Sequence, residues 1–507
     1  MENPERPGLT ISPRIERGRV KVLGFISLVI FILILLASLR GWIPQDLLAL
    51  QSVLVLTTLA LLGVAVLFQQ SFHPAQVLAA MTLHPITATI AGFLLAGAVE
   101  AAGGFSAAAR ILSKLGKGVL GLSGVVVVLV NVPNIFAMPC GRVWAAALIP
   151  VALAYAAEIA RIRNDLSLVA VVVFGLIINA AASCGPSPLG GIGMMGEGMA
   201  RLPLYVFSNP QQIAIMMMTL FGMAAMAWLM RRYPVKINAS VLHRQDNFSQ
   251  QQRLVGYFAL FSYVIGLTVI FIVQPPVPIQ TLLIGMTILV MIVGKVSLKE
   301  LFRGVILHPV TAMVAGFMVA GALLVTGGFD AMTQALTWLA IHTPLGFTGV
   351  GVMLIYVPTI FPMPCGRVLA ASLLPGVIMF AEVVGQETRC PQCLPAMLIA
   401  FVLSAAASCG PSPLGGIGGI GEGNLGLPHG ISAMPMQFGI ILGVPIAALI
   451  VTYMGLSVEF LRINETVLSL FLGAVSGMAT NTLLGYPFYQ PGGIMGGSFV
   501  GGLLMVM

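Results

Sequence analysis

The string AAASCGPSPLGGIG occupies Ala180–Gly193, and the same fourteen letters return unchanged at Ala405–Gly418. Each copy closes an apolar run, Leu166–Ala182 in one case and Leu394–Ala407 in the other. Proline lacks a backbone N–H and clashes with the preceding turn, and paired glycines remove side-chain packing. CGPSPLGG therefore predicts a helix that unwinds, leaving N–H and C=O groups without partners inside it. In hydrocarbon each such group costs several kcal/mol, so broken backbone persists only where protein buries it or it lines a polar cavity. A break written twice predicts one site assembled from two copies near the middle of a membrane. The plainer reading, an ordinary interfacial loop, also stays open, because Leu166–Ala182 is barely long enough to span alone.

The surroundings of the string point to a bilayer. Of 507 residues, 58% are hydrophobic and 8% charged, against about 25% charged in soluble domains. Apolar runs recur from Val22–Leu39 to Gly492–Met507. The net charge of +8 is small for this length and sits in a tail and in loops, where Lys and Arg hold cytoplasmic ends in place. No basic stripe is interleaved with aromatics, which argues against nucleic acid as a partner. The opening MENPERPGLTISPRIERGRVK is too long and too acidic for a secretory leader, so Val22–Leu39 reads as a retained helix.

The two strings belong to a longer duplication. LHPITATIAGFLLAGAVEAAGGF (Leu83–Phe105) matches LHPVTAMVAGFMVAGALLVTGGF (Leu307–Phe329), and PNIFAMPCGRVWAAALIP (Pro133–Pro150) matches PTIFPMPCGRVLAASLLP (Pro358–Pro375) at 13 of 18 positions. The offset is 224 in the first block and 225 in the second. The expected organisation is a polar tail (1–21), repeat 1 (22–230), a polar linker (231–253), repeat 2 (254–461) and an additional C-terminal pair of spans (462–507). Each repeat holds five crossings plus a hairpin turning at Met-Pro-Cys-Gly-Arg. An odd number of crossings predicts that the second repeat is inverted relative to the first. The fold class is thus an all-α polytopic membrane protein of two inverted repeats, each with a hairpin, re-entrant or spanning, and a Gly/Pro-broken helix. The tail and the linker each carry five Lys/Arg yet fall on opposite sides. Lys295, Lys299 and Arg303 share the linker's side and favour that side as cytoplasmic.

The repeated polar residues are the candidate site. Arg142 and Arg367 each follow Pro-Cys-Gly at a hairpin tip. An arginine inside the membrane is costly and functional by default, and its planar fork suits carboxylate or oxyanion. The second arm, starting near Gly141 or Gly366 after Cys140 or Cys365, adds its positive dipole end. The alternative is a tight external turn with arginine reaching the headgroups. Ser183, Ser187, Ser408 and Ser412 offer hydroxyls, while Gly185, Gly190, Gly410 and Gly415 let a ligand approach the backbone. Glu197 and Glu422, in matching GEG triplets, either carry a proton or cation or cap a half-helix. Asn134 and its mate Thr359 complete the coupling-ion candidates. His84 and His308 read as helix-start residues, and Glu158 as structural beside Arg161. Cys390 and Cys393, in RCPQC, have no counterpart in the first half and are weak evidence for metal or redox chemistry.

The order of elements resembles the ion transporter superfamily, the group that includes divalent anion–sodium symporters and arsenite-pump membrane subunits. The resemblance is architectural and covers roughly Val22 to Leu461, with MPCGR at the hairpin tip and SCGPSPLGGIG at the broken helix. It implies two inverted repeats, re-entrant hairpins, and a substrate and ion site formed between them. The symporters carry Ser-Asn-Thr at the tip, where this chain has Pro-Cys-Gly-Arg in both halves. Sodium is the one ion the resemblance suggests, with no other cofactor. The expectation is a non-enzymatic secondary transporter in the inner (plasma) membrane, moving a small anionic solute by alternating access with sodium or proton coupling. The last two spans either make a homodimer contact or form an accessory element. Competing readings are a cation/proton antiporter centred on the two glutamates and a non-transporting redox or assembly subunit using Cys390 and Cys393. No GxxxxGK[ST] loop is present, so ATP is not hydrolysed by this chain itself.

Overall fold

A computed structural model describes residues 17–39, 50–68, 72–78, 83–104, 107, 110–111, 114, 120–135, 141–186, 191–203, 206–232, 250–273, 279–304, 307–360, 366–411, 417–454 and 458–506. All regular structure among them is helical. The first half contains α1 (Arg17–Leu39), α2 (Leu50–Leu67), α3 (Pro74–Leu78), α4 (Leu83–Ala101), α5 (Gly121–Ile135), α6 (Gly141–Arg163), α7 (Ser167–Ala182), α8 (Ile192–Met199) and α9 (Ser208–Arg232). The second half contains α10 (Gln250–Val273), α11 (Ile279–Gly294), α12 (Leu298–Gly304), α13 (Leu307–Val325), α14 (Gly328–His342), α15 (Gly346–Ile360), α16 (Gly366–Glu387), α17 (Cys393–Ala407), α18 (Ile417–Leu425) and α19 (Ala433–Met454). The chain closes with α20 (Val458–Leu483) and α21 (Pro491–Val506).

Repeated sequence begins and ends helices at repeated places. Gly103 and Gly327, each preceding a glycine and phenylalanine, sit at φ 79° and 74°, a conformation that favours glycine. In the second half this turn bends Val314–Val325 against Gly328–His342 by 77°. A left-handed glycine also starts each hairpin, Gly121 at φ 60° and Gly346 at φ 61°.

The halves are units of sequence more than of packing. Helices α1 to α3 pack against α13 and α14 of the second half, while α10 to α12 pack against α4 of the first. The closest approaches are again glycine against backbone: a Cβ on Gly24 would meet the carbonyl of Gly327, and one on Gly256 the carbonyl of Gly103. Between the two halves α9 lies along α19, with Gly439 and Gly443 against Met218. The core is almost wholly apolar, with Trp144, Phe93, Phe174, Phe317 and Phe401 at or near zero exposure.

Three helices among the described residues are long and apolar enough to cross a membrane: Ser208–Arg232, Gly366–Glu387 and Ala433–Tyr453. The bent pair α13–α14 makes a fourth if it is one span. Other apolar helices are shorter, including Gly121–Ile135, Ser167–Ala182, Gly346–Ile360 and Cys393–Ala407. Large apolar side chains also face outward, among them Leu33, Leu59, Val66, Ile265, Ile292 and Phe471.

The C-terminal pair is held to the first half. α20 and α21 pack on each other through Gly473, Gly477, Gly493, Gly497 and Gly501. Gly492 and Gly496 of α21 then press on α5, where a Cβ on Gly124 would overlap the Gly492 carbonyl. The glycine face of α21 thus makes a contact within the chain.

Candidate functional site

Both glycine–proline strings stop a helix and start another nearby. After α7, the Gly185 N–H donates to the Ala182 carbonyl at 2.9 Å. Helix α8 begins where the Ile192 N–H donates to the Cys184 carbonyl at 3.0 Å and Gly193 N–H to the Gly185 carbonyl at 2.8 Å. The second copy repeats this, with Gly410 to Ala407 at 2.9 Å, Ile417 to Cys409 at 3.0 Å and Gly418 to Gly410 at 3.0 Å. Backbone groups that the break frees are thereby paired again, as the interior of such a protein requires. Ser187, Gly190, Ser412 and Gly415 lie outside the described residues.

The two closed loops face each other. The Cys184 thiol donates to Ala181 O at 3.1 Å in its own half and to Ala406 O at 3.6 Å in the other. The Cys409 thiol donates to Ala406 O at 3.2 Å and to Ala181 O at 3.6 Å. A Cβ on Gly185 would lie 3.3 Å from Ala406 Cβ, and one on Gly410 3.1 Å from Ala181 Cβ. Beyond the loops the short helices cross over as well. α8 packs on Val402 and Leu398 of α17 through Gly196, and α18 packs on Phe174 and Ile177 of α7 through Gly421.

The hairpin arms arrive at the same place. Gly141 opens α6 with its Cα against the Ala180 carbonyl, so close that any Cβ would overlap it; Gly366 of α16 repeats the contact with Ala405. One residue on, Arg367 is 2% exposed. Arg142 occupies the equivalent helical position in α6, with its side chain outside the described residues. Cys140 and Cys365 lie outside them altogether, and the side chains of His84 and His308 likewise.

The serine hydroxyls turn back on their own helices: Ser183 donates to Ala180 O at 2.8 Å and Ser408 to Ala405 O at 2.7 Å. The buried glutamates bind the start of the following helix. Glu197 accepts the Phe207 N–H at 2.8 Å, just before α9. Glu422 accepts Ser432 N–H at 2.9 Å, Ser432 O–H at 2.6 Å and Gly430 N–H at 2.8 Å, just before α19, with His429 Nδ1 at 3.1 Å. A carboxylate accepting helix-start N–H groups is a strong, charge-assisted cap.

The halves differ in what lines the break. In the first, Gln211 is fully buried with both amide atoms unpartnered among the described residues, next to Gly185 and Gly193. Asn134 donates to Gln212 O at 2.7 Å, and Gln212 donates back to Asn134 O at 3.2 Å. Asn179 donates to Asn131 Oδ1 and Thr219 Oγ1, both at 3.1 Å. The side-chain oxygens of Asn134, Asn179 and Gln212 have no partner among the described residues. In the second half Met436 replaces Gln211 and lies against Gly410 and Gly418. There Thr359 pairs with Ser404 at 2.8 Å, and Gln437 donates to the Thr359 carbonyl at 3.2 Å.

The structure thus brings the Arg367, Gly141, Gly366, Ser183, Ser408, Gly185 and Gly410 positions into one neighbourhood. Sequence reasoning missed the meeting of Cys184 with Cys409, and it missed Gln211 and Gln212. The signal for the glutamines was available: they are adjacent amides at the start of an otherwise apolar helix. Cys390 and Cys393, at the turn between α16 and α17, are joined as a disulfide. Glu158 and Arg161 form an exposed ion pair at 2.7 Å. Comparison of the sequence with family models and with curated proteins gives no match.

Proposed function

We propose that the chain is a multi-pass secondary transporter of the inner (plasma) membrane, carrying a small anion, carboxylate or oxyanion, by alternating access. The observation that carries this reading is the convergence of two broken helices and two hairpin arms on one point that neither half forms alone. A buried guanidinium at the second residue of α16 adds a fixed positive charge beside that helix's positive dipole end. Arg142 fills the equivalent role in the first half.

The reading takes the hairpins as re-entrant. With each hairpin counted as entering and leaving on one side, five crossings per half make the second repeat inverted. Arg110, Lys114, Lys117, Arg161, Arg163, the linker, Lys295, Lys299 and Arg303 then share one side, which the positive-inside rule makes cytoplasmic. The Cys390–Cys393 turn falls on the opposite, oxidising side, where a disulfide persists.

Coupling to sodium or protons completes the cycle. The unpartnered amide oxygens of the first half, Asn134 among them, are hard oxygen ligands of the kind sodium takes. Glu197 and Glu422 act as caps in this reading, which weighs against a cation/proton antiporter built on them.

A thermal-shift screen tests the proposal, with carboxylates, inorganic oxyanions and metal cations in sodium and in potassium buffers. A ligand that binds only the folded state raises the melting point by mass action. One anion class is expected to stabilise the protein, with the shift lost in Arg367→Ala and in Arg142→Ala. Stabilisation by cations alone, unchanged in both variants, overturns the anion reading.

A further inference from the structure

We propose that α12 docks on anionic phospholipid headgroups through Lys295, Lys299 and the apolar pair Leu298 and Phe302. The inference rests on the chain lying in a membrane and not on what the chain carries.

α11 delivers α12 to the membrane surface. It keeps Ile288 and Ile292 exposed, then stops as Lys295 turns left-handed at φ 51° and the Val296 N–H reaches back to the Met291 carbonyl at 3.0 Å. α12 starts with a reciprocal cap. The Ser297 N–H and O–H donate to Glu300 Oε2 at 2.8 and 2.7 Å, and the Glu300 N–H donates to Ser297 Oγ at 3.3 Å. The cap engages the carboxylate that α12 carries, and neither Lys295 nor Lys299 makes an ion pair among the described residues. Leu301 is buried in a small cluster with Val296 and with Ala98 and Ala102 at the end of α4. Leu298 and Phe302, one turn apart, stay 63% and 62% exposed, and both lysines are exposed beside them. Apolar and cationic side chains presented together on a short helix fit the boundary between headgroups and acyl chains. There the apolar groups enter the chains while the ammonium groups stay at the phosphates.

The first half supplies the comparison. α3 repeats the same plan 224 residues earlier. The His73 N–H donates to Gln76 Oε1 at 3.0 Å, Val77 is buried with its carbonyl against Gly321 of α13, and Leu78 is exposed. Ser71 and Ala75 stand in the places of Lys295 and Lys299. The same surface helix is therefore basic in one half and neutral in the other. The inverted arrangement proposed above puts the two helices on opposite faces of the membrane. One leaflet then meets two lysines, with Arg303 one turn beyond Lys299, and the other leaflet meets none. That charge matches the anionic lipids of a cytoplasmic leaflet, where each nearby lysine contributes about fivefold in affinity.

The test reads tryptophan quenching by brominated lipids in nanodiscs that hold the full chain. Phe302→Trp reports on α12 and Leu78→Trp on α3, each after subtraction of the parent's signal. Brominated phosphatidylglycerol is expected to quench the α12 reporter at a mole fraction on the order of 20-fold lower than brominated phosphatidylcholine. The α3 reporter should show no preference. Lys295→Asn with Lys299→Gln should remove the preference, Lys295→Arg with Lys299→Arg should keep it, and raised salt should weaken it. Equal quenching by the two lipids at α12, an equal preference at α3, or a preference that survives loss of both lysines overturns the proposal. So does an α12 reporter that neither lipid quenches while the parent's exposed Trp228 and Trp338 are quenched, an outcome that leaves the membrane reading standing. Failure to quench those two as well refutes the membrane reading itself. Where a tryptophan variant gives no melting transition, the parent decides. Phosphatidylglycerol must raise its melting point above the value in phosphatidylcholine, and a rise that is absent, or that persists without the two lysines, refutes the docking.

Discussion

The two glycine–proline strings have the same letters and the same hydrogen bonds closing their ends, yet they face different chemistry. Around the first, Gln211, Gln212, Asn134 and Asn179 present amide oxygens without partners among the described residues. Around the second, Met436 fills the place of Gln211, and the Thr359 hydroxyl is satisfied by Ser404. Geometry and lining have separated after duplication. What both halves keep are the loop closure, the glycine approach to the hairpin and the cross-half thiol contacts. What differs is polarity, the property that chooses a ligand.

The largest expected effect tests what is shared. Gly141→Ala and Gly366→Ala each drive a Cβ into a backbone carbonyl that cannot withdraw. Each should destabilise by about 3 kcal/mol, read from thermal melts in detergent. A large effect in one half only would break the equivalence of the two breaks.

The glutamate caps come next. Glu422 accepts three donors and lies 3.1 Å from His429 Nδ1, and Glu422→Gln should cost about 2 kcal/mol through lost charge-assisted bonds and a buried amide with too few acceptors. Glu197→Gln should be milder. A change in ligand coupling with unchanged stability would instead return both residues to the coupling-ion role.

Exchanging the linings sharpens the contrast. Met436→Gln puts an unpartnered amide beside Gly410 and Gly418 and should cost about 1–3 kcal/mol. Gln211→Met should cost under about 1.5 kcal/mol, because the second half already accommodates methionine at this place. It should abolish any sodium dependence of the melting point while leaving the anion shift. Loss of the anion shift with sodium dependence retained would reverse the assignment of the two halves.

The smallest effect concerns the turn after each hairpin. The second half closes it with a disulfide and the first carries the exposed Glu158–Arg161 pair nearby. Glu158→Gln should leave the melting point unchanged at physiological salt, since exposed pairs are screened. A measurable drop would show that the first turn bears load as well.

The helix boundaries were legible because local rules write them. Proline and paired glycine stop α7 and α17, and glycine at a left-handed turn starts the hairpins. Arginine after Pro-Cys-Gly marked a helix start, and Arg367 is buried there. The partners of those elements were not legible. Nothing in the spacing of Cys184 and Cys409 shows that they meet, since their contact depends on how α7 and α17 cross. Nor does the sequence tell that Glu197 and Glu422 turn forward to the next helix, or that Ser183 and Ser408 bond their own helices. Such choices are made by tertiary packing among donors of nearly equal reach.

The glycine contact between α21 and α5 has a consequence for how the chain is made. α5 is buried from Ser123 to Ile135, whereas its mate α15 keeps Val352, Met353 and Ile360 exposed. The cover over α5 comes partly from α21, which is made long after it. The first hairpin therefore waits, incompletely packed, through synthesis of everything between α5 and α21, and such long-range closure is slow. It stays vulnerable until α21 has been inserted.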